Sequence, residues 1–202
     1  LFKGQKSYNG VAVLSRKKMR VLEMEIPDFE DNQCRLLCAG DENTTIINVY
    51  VPNGSAVGSD KFEYKIKWLN ALKTWLTRLA QEKNNLILLG DFNIAPDDED
   101  VHDPELWRDK ILCSAEERNL LEGIKALGLV DTFREFSQAD SSFSWWDYRA
   151  GGFPRNRGLR IDLIFASIAM QKNVKSSTID TTPRGWEKPS DHAPVVLELA
   201  LN

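Results

Sequence analysis

The chain has 202 residues, 42% of them apolar and 28% charged, with a formal net charge of −4. Those figures suit a single globular domain over residues 1–202 and exclude an intrinsically disordered chain. No run approaches the roughly 18 apolar residues of a membrane span, and no signal peptide is visible. Cys34, Cys38 and Cys113 form no CxxC pair and are odd in number, so neither a disulfide framework nor a zinc site is expected, and the reducing cytoplasm is the default compartment.

The chain opens at Leu1 with "LFKGQKSYNGVAVLS" and no initiator Met, which fits a trimmed start or the interior of a longer protein. "GVAVLS" (10–15) and "RVLEMEI" (20–26) are predicted to be adjacent strands. "CRLLCAG" and "TTIINVYV" (44–51) follow, divided by the turn signal "DEN". The β-branched run in the second suggests a strand buried on both faces. Together these segments read as a β-meander. Phe62, Ile66, Leu69, Leu72, Leu76 and Leu79 then recur at three- and four-residue steps and predict an amphipathic helix near 60–82. "LILLG" (86–90) returns to strand. A second helix is predicted from Ser114, with Glu117 completing a capping box, to Gly128 as its cap. "RIDLIFAS" (160–167) and "APVVLELAL" (193–201) are further strands. Strands interleaved with two long helices imply an α/β layered domain.

Charge is distributed unevenly. From Arg149 to Lys188 eight basic residues face three acids, whereas Asp97 to Asp109 holds seven acids and one Arg. A local basic face can bind phosphate despite an acidic total; a solvated surface is the plainer reading.

Four places carry residues suited to chemistry: Asp91 with Asn93, Asp162, Asp191 with His192, and Tyr50 with Asn53. Each has a plain structural explanation. Asp91 and Asn93 suit an Asx turn. Asp162 alternates with apolar neighbours and can face solvent. Asp191-His192 can end a loop, and Tyr50 can be a rim aromatic. As a set they suit hydrolysis of a phosphate ester. Carboxylates bind Mg²⁺, which prefers oxygen. A carboxylate orients or deprotonates water, and a His held by an Asp donates to the phosphate. A Ser-His-Asp hydrolase fits less well, because no GxSxG is present. Neither a Walker loop nor a GxGxxG occurs.

"GQKSYNGVAVLSR", "NVYVPNG", "LLGDFNIAP", "GLVDTFR", "FSWWDYRAGGFPRNRGLRIDLIFAS" and "EKPSDHAP", in that order, closely resemble the exonuclease III family of AP endonucleases in its bacterial form. That family lies within the endonuclease/exonuclease/phosphatase superfamily. The likeness runs from about residue 4 to 199. It implies a four-layer α/β sandwich, two packed mixed sheets flanked by helices. It implies Mg²⁺- or Mn²⁺-dependent cleavage of double-stranded DNA 5′ to an abasic site, with 3′→5′ exonuclease and 3′-phosphatase trimming, by a monomer. Carried over residue by residue, Asp91 would activate water and Asn93 would hold it in place. His192, oriented by Asp162, would polarise the phosphate, and Asp191 would join the metal network. Tyr50 and Asn53 would contact the phosphate. Trp145, Leu159 and Ile161 would line an apolar pocket for the extruded abasic sugar. Arg157 and Arg160 fall in the basic stretch expected to face DNA.

Relatives carry two further features ahead of the "GQK" segment: a strand with a site Asn, and a "QE" strand end whose Glu is a principal metal ligand. The resemblance therefore implies a domain without those N-terminal strands and a metal site without that Glu. Two other readings stay open. One is a phosphoesterase for lipid or inositol phosphates. The other is a DNA-binding fragment of the family without turnover.

Overall fold

A computed structural model describes residues 1–200. The chain begins with a short hairpin, β1 (Phe2–Gly4) and β2 (Gly10–Ala12). Then come β3 (Arg20–Glu23), β4 (Leu36–Gly40) and β5 (Thr45–Tyr50). Helix α1 (Asp60–Glu82) leads into β6 (Leu86–Asp91). A one-turn helix α2 (Pro104–Trp107) and helix α3 (Ala115–Lys125) precede β7 (Leu129–Asp131). The described chain closes with β8 (Asp162–Ser167), the short α4 (Ile168–Gln171), β9 (Val174–Ile179) and β10 (Val195–Leu199).

Six strands form one mixed sheet in the order β3-β4-β5-β6-β8-β7. Only β5 and β6 run parallel, which is what a crossover through a helix produces. That helix, α1, starts where Ser59 accepts a hydrogen bond from the Phe62 amide. It buries Trp68, Leu69, Leu72, Trp75 and Leu76 against one face of the sheet, where Ile47, Val49, Leu86, Leu88, Leu163 and Phe165 meet it. Each such side chain contributes roughly 2 kcal/mol. Helix α3 adds Leu121 and Ile124 to the same core. Its capping box forms as expected, and Gly128 adopts a left-handed φ of 86° just beyond the end of the helix.

The opposite face is covered by the β9–β10 hairpin. Val174, Val195, Leu197 and Leu199 lie over Ile46, Ile87, Leu89, Ile164 and Ala166. The β1–β2 hairpin lies on the same face, where the Asn48 side chain donates to Ala12 O at 3.0 Å. The expected α/β arrangement of sheets packed on one another and on helices is present.

Three details differ from expectation. The segments 10–15 and 20–26 are not neighbours: β2 pairs with β1, β3 pairs with β4, and an exposed basic loop around Arg16–Lys18 separates them. Strand β5 is fully buried on one face only, because its other face meets the thinner hairpin layer. Strands β7 and β9 carry weak sequence signals: β7 has three residues, and the face of β9 is polar in "KSST". Leu201, the end of the last predicted strand, lies outside the described residues.

Candidate active site

The site is built at the end of the central strands, on the face turned toward the second layer. Tyr50, Asp91 and Asp162 are register partners across β5, β6 and β8. Register partners point to the same side of a sheet, so three strands present an aromatic and two carboxylates in a row, all half-buried. Gly90 makes the row possible. Its φ is 136°, and a Cβ there would lie 1.9 Å from Val49 O. Only glycine lets β6 approach β5 that closely just before the acid.

The strand ends in an Asx turn: the Asn93 amide donates to Asp91 Oδ1 at 2.9 Å. Asn93 has a left-handed φ of 50°, and its side-chain amide donates to Asp91 Oδ2 at 3.0 Å and to Val51 O at 3.1 Å. Asn53 donates in turn to Asn93 Oδ1 at 2.9 Å. The turn and the site are thus one feature.

His192 arrives from the second layer, three residues before β10. Its Nδ1 lies 2.8 Å from Asp162 Oδ2. A carboxylate only accepts, so Nδ1 carries the proton and Nε2 is left to face a substrate. Asp162 is held from behind by Ser144, which is fully buried. The Ser144 hydroxyl donates to Asp162 Oδ2 at 2.7 Å and accepts from the Ile161 and Asp162 amides at 3.0 Å each. Ser144 lies within the quoted "FSWW" block, but nothing about a serine between aromatics marks it from sequence.

The electrostatics follow from this crowding. Burial raises the Asp91 carboxyl to about 7; the Asp162 charge adds to the rise, and His192, the Asn93 amide and Lys65 oppose it. For His192, burial works to lower the value. It is outweighed by the hydrogen bond and charge of Asp162 and by the charges of Asp91 and Asp191, so the imidazole is raised to about 9. The geometry therefore offers a carboxylate that accepts a proton near neutrality beside an imidazolium that donates one.

Asp191 is half-buried, and its Oδ2 accepts from Trp145 Nε1 at 3.0 Å. The Trp145 main chain pairs with both Leu159 and His192, and its hydrogen bond to Asp191 sets the indole against the site. Among the described residues no group of three or more His, Cys, Asp or Glu side chains is arranged to hold a metal ion. A small hard cation bound through one or two carboxylates, water and substrate phosphate does not need such a cage, and the Asp191 carboxylate is a donor of that kind.

Two expectations are corrected. Arg160 does not face substrate: it is 1% exposed, pairs with Asp100 and Asp131, and stacks over Phe133 at 4.9 Å. A buried guanidinium held by two carboxylates has no N–H directed outward for a phosphate. Leu159 and Ile161 do gather with Trp145, but their side chains are fully buried among Ala95, Val101, Leu112 and Cys113. The Trp145 indole is half-buried there, as are Trp107 and Ile111. Arg157 is exposed, as are Arg149, Arg155, Lys172, Lys175 and Lys188, whereas Arg184 is buried beside Tyr148 and Phe153.

Residues 2–192 match the model of the Endonuclease/Exonuclease/phosphatase family. The chain is 37% identical to the exodeoxyribonuclease III of Haemophilus influenzae, over 96% of this chain and 78% of that protein. Its structure superimposes with a TM-score of 0.92 on a Neisseria 3′ phosphatase solved with a product DNA hairpin, at 41% identity over 100% of this chain and 79% of that one. An AP endonuclease from Archaeoglobus fulgidus gives a TM-score of 0.93 at 31% identity, with the same coverage of 100% and 79%.

Proposed function

The chain belongs to the endonuclease/exonuclease/phosphatase family, and we propose that it is a nuclease of DNA repair that hydrolyses a phosphodiester 5′ to an abasic site and trims blocked 3′ ends. The observation that carries this reading is the junction of Asp91–Asn93 with the Ser144–Asp162–His192 chain at the rim of one sheet. Relatives named for exonuclease, AP endonuclease and 3′ phosphatase activities support the substrate class.

In this reading Asp91 orients the attacking water and takes its proton, with Asn93 fixing both carboxylate oxygens. The water oxygen bonds to phosphorus as the bond to the 3′ oxygen breaks, and the departing 3′ oxygen takes a proton from solvent to leave a 3′-hydroxyl. His192, held by Asp162, donates from Nε2 to the phosphate and stabilises the charge that develops there. Tyr50 and Asn53 contact the remaining phosphate oxygens. Trp145 meets the base-free sugar, and Arg157 contacts the backbone. Enzymes of the exonuclease III type depend on a divalent metal; we assign Mg²⁺ or Mn²⁺ to the side of the site where Asp191 stands. When bound, the ion supplies neutralisation of phosphate charge and stabilisation of the leaving oxygen. The same reading has the protein acting as a monomer in the cytoplasm.

The test is a duplex with one tetrahydrofuran abasic analogue, offered with Mg²⁺ and then with EDTA. Metal-dependent nicking on the 5′ side of the lesion is expected. Absence of DNA binding, with phosphate released from a small ester instead, would overturn the assignment.

A further inference from the structure

Helix α1 places a lysine in its apolar stripe. Phe62, Lys65, Leu69, Leu72 and Leu76 are spaced as one buried face, and Lys65 is 0% exposed. A desolvated ammonium is costly unless each N–H finds a partner. Lys65 Nζ donates to Asn93 O at 2.7 Å, to Asn53 O at 3.2 Å, and to Glu117 Oε1, whose side chain is also fully buried. All three donors are thus used. Two of the partners are backbone carbonyls from different loops, one after β5 and one after β6, and each belongs to an asparagine of the site. Glu117 is itself anchored, accepting from the Leu112 and Ser114 amides at 3.1 Å each and from the Ser114 hydroxyl at 2.6 Å. The Asn53 loop is seated on the lysine stem: a Cβ on Gly54 would come within 3.1 Å of Lys65 Cδ.

We propose that Lys65 is a positioning residue for the hydrolysis: from beneath, it clamps the Asn53 and Asn93 loops together, so that the Asn53–Asn93–Asp91 chain of hydrogen bonds presents the Asp91 carboxylate in its working geometry. An apolar side chain would fill the same volume without holding either carbonyl. The inference rests on the hydrolytic role given to Asp91 above. Lys65 also contributes charge. The groups bearing on Asp91 are Asp162 from β8, His192 from the second layer, the Asn93 amide and Lys65 from α1, and Lys65 is the cation on the core side.

The test compares Lys65→Met with the charge-neutral pair Lys65→Met/Glu117→Gln. The Glu117→Gln change in the pair keeps an acceptor for Ser114 and removes the carboxylate charge that Lys65→Met alone would strand, so the pair serves if the single variant does not fold. Thermal melting establishes folding, and kcat, KM for the abasic duplex and the pH–rate profile are then measured well below Tm. The clamp predicts a fall in kcat of about 10²-fold with KM little changed. It also predicts that the acid limb moves upward, because a charge that lowers the Asp91 carboxyl is gone. A purely structural lysine would lower Tm and leave the acid limb in place. A folded pair with wild-type kcat and acid limb overturns the inference alone. A wild type inert on the abasic duplex sinks the nuclease reading, and this inference with it.

Discussion

At the scale of single residues, the site is a problem in proton placement. Asp91 is raised to about 7 by burial and the neighbouring Asp162 charge, and His192 is raised to about 9 by its carboxylate partners against the pull of burial. In the proposed hydrolysis the base works deprotonated and the imidazole works protonated. The rate kcat/KM should therefore rise as pH climbs through about 7, level off, and fall above about 9. A profile that falls through 7 instead would reverse the two roles. Replacing His192 by alanine removes the donor proposed for the phosphate but few DNA contacts, so cleavage should drop by about 10²–10⁴-fold while duplex affinity changes little. Equal losses in both would count against a role in chemistry. Asp91, Asn93, Asp162 and His192 were legible in the sequence because acids, amides and histidines flanking strand ends have few plain explanations when four coincide. Ser144 and Lys65 were not. A serine between aromatics looks like filler, and a lysine within a helical stripe looks like a solvent-facing residue until its carbonyl partners, 12 and 28 positions away, are seen.

At the scale of elements, the loop between β6 and α2 and the strand end before β8 are joined by a buried ion network. Arg160 holds Asp100 and Asp131, Arg134 also pairs with Asp100, and the Arg160 amide donates to Asp100 O at 2.9 Å. This network fixes the segment that delivers Leu159, Ile161 and then Asp162. Arg160→Leu strands the buried Asp131 carboxylate and leaves Asp100 to Arg134 alone, a change that costs about 3–5 kcal/mol and should lower Tm by roughly 10 °C; a Tm within a degree of wild type would show that the network is not what holds the segment. The sequence misled here for a physical reason. The second arginine of "RGLRID" and an acid-rich stretch at 97–109 both read as surface charge, yet Asp100 and Arg160 are each buried because they neutralise one another. Helix α1 was legible almost to the residue, since its period is carried by large side chains, and so was the capping box of α3. The two β-hairpins of the second layer were less so, because three-residue strands and half-exposed faces leave little pattern to read.

At the scale of the whole molecule, a net charge of −4 coexists with a stretch whose exposed cations include Arg149, Arg155, Arg157 and Lys188. Contacts between such side chains and phosphates release counterions, so affinity should fall with salt, with a log–log slope of about −0.9 per phosphate neutralised. Arg155→Ala and Arg157→Ala should each flatten that slope by about one without altering the position of the nick. A slope unchanged in both would move the DNA to another face. The proposal that the row of Tyr50, Asp91 and Asp162 at the end of β5, β6 and β8 hydrolyses DNA is tested by single-turnover cleavage of an abasic duplex by Asp91→Asn, with duplex affinity measured in parallel. A rate lower by about 10²–10⁴-fold at near-wild-type affinity is expected; an Asp91→Asn protein that nicks the duplex at the wild-type rate would remove Asp91 from the chemistry.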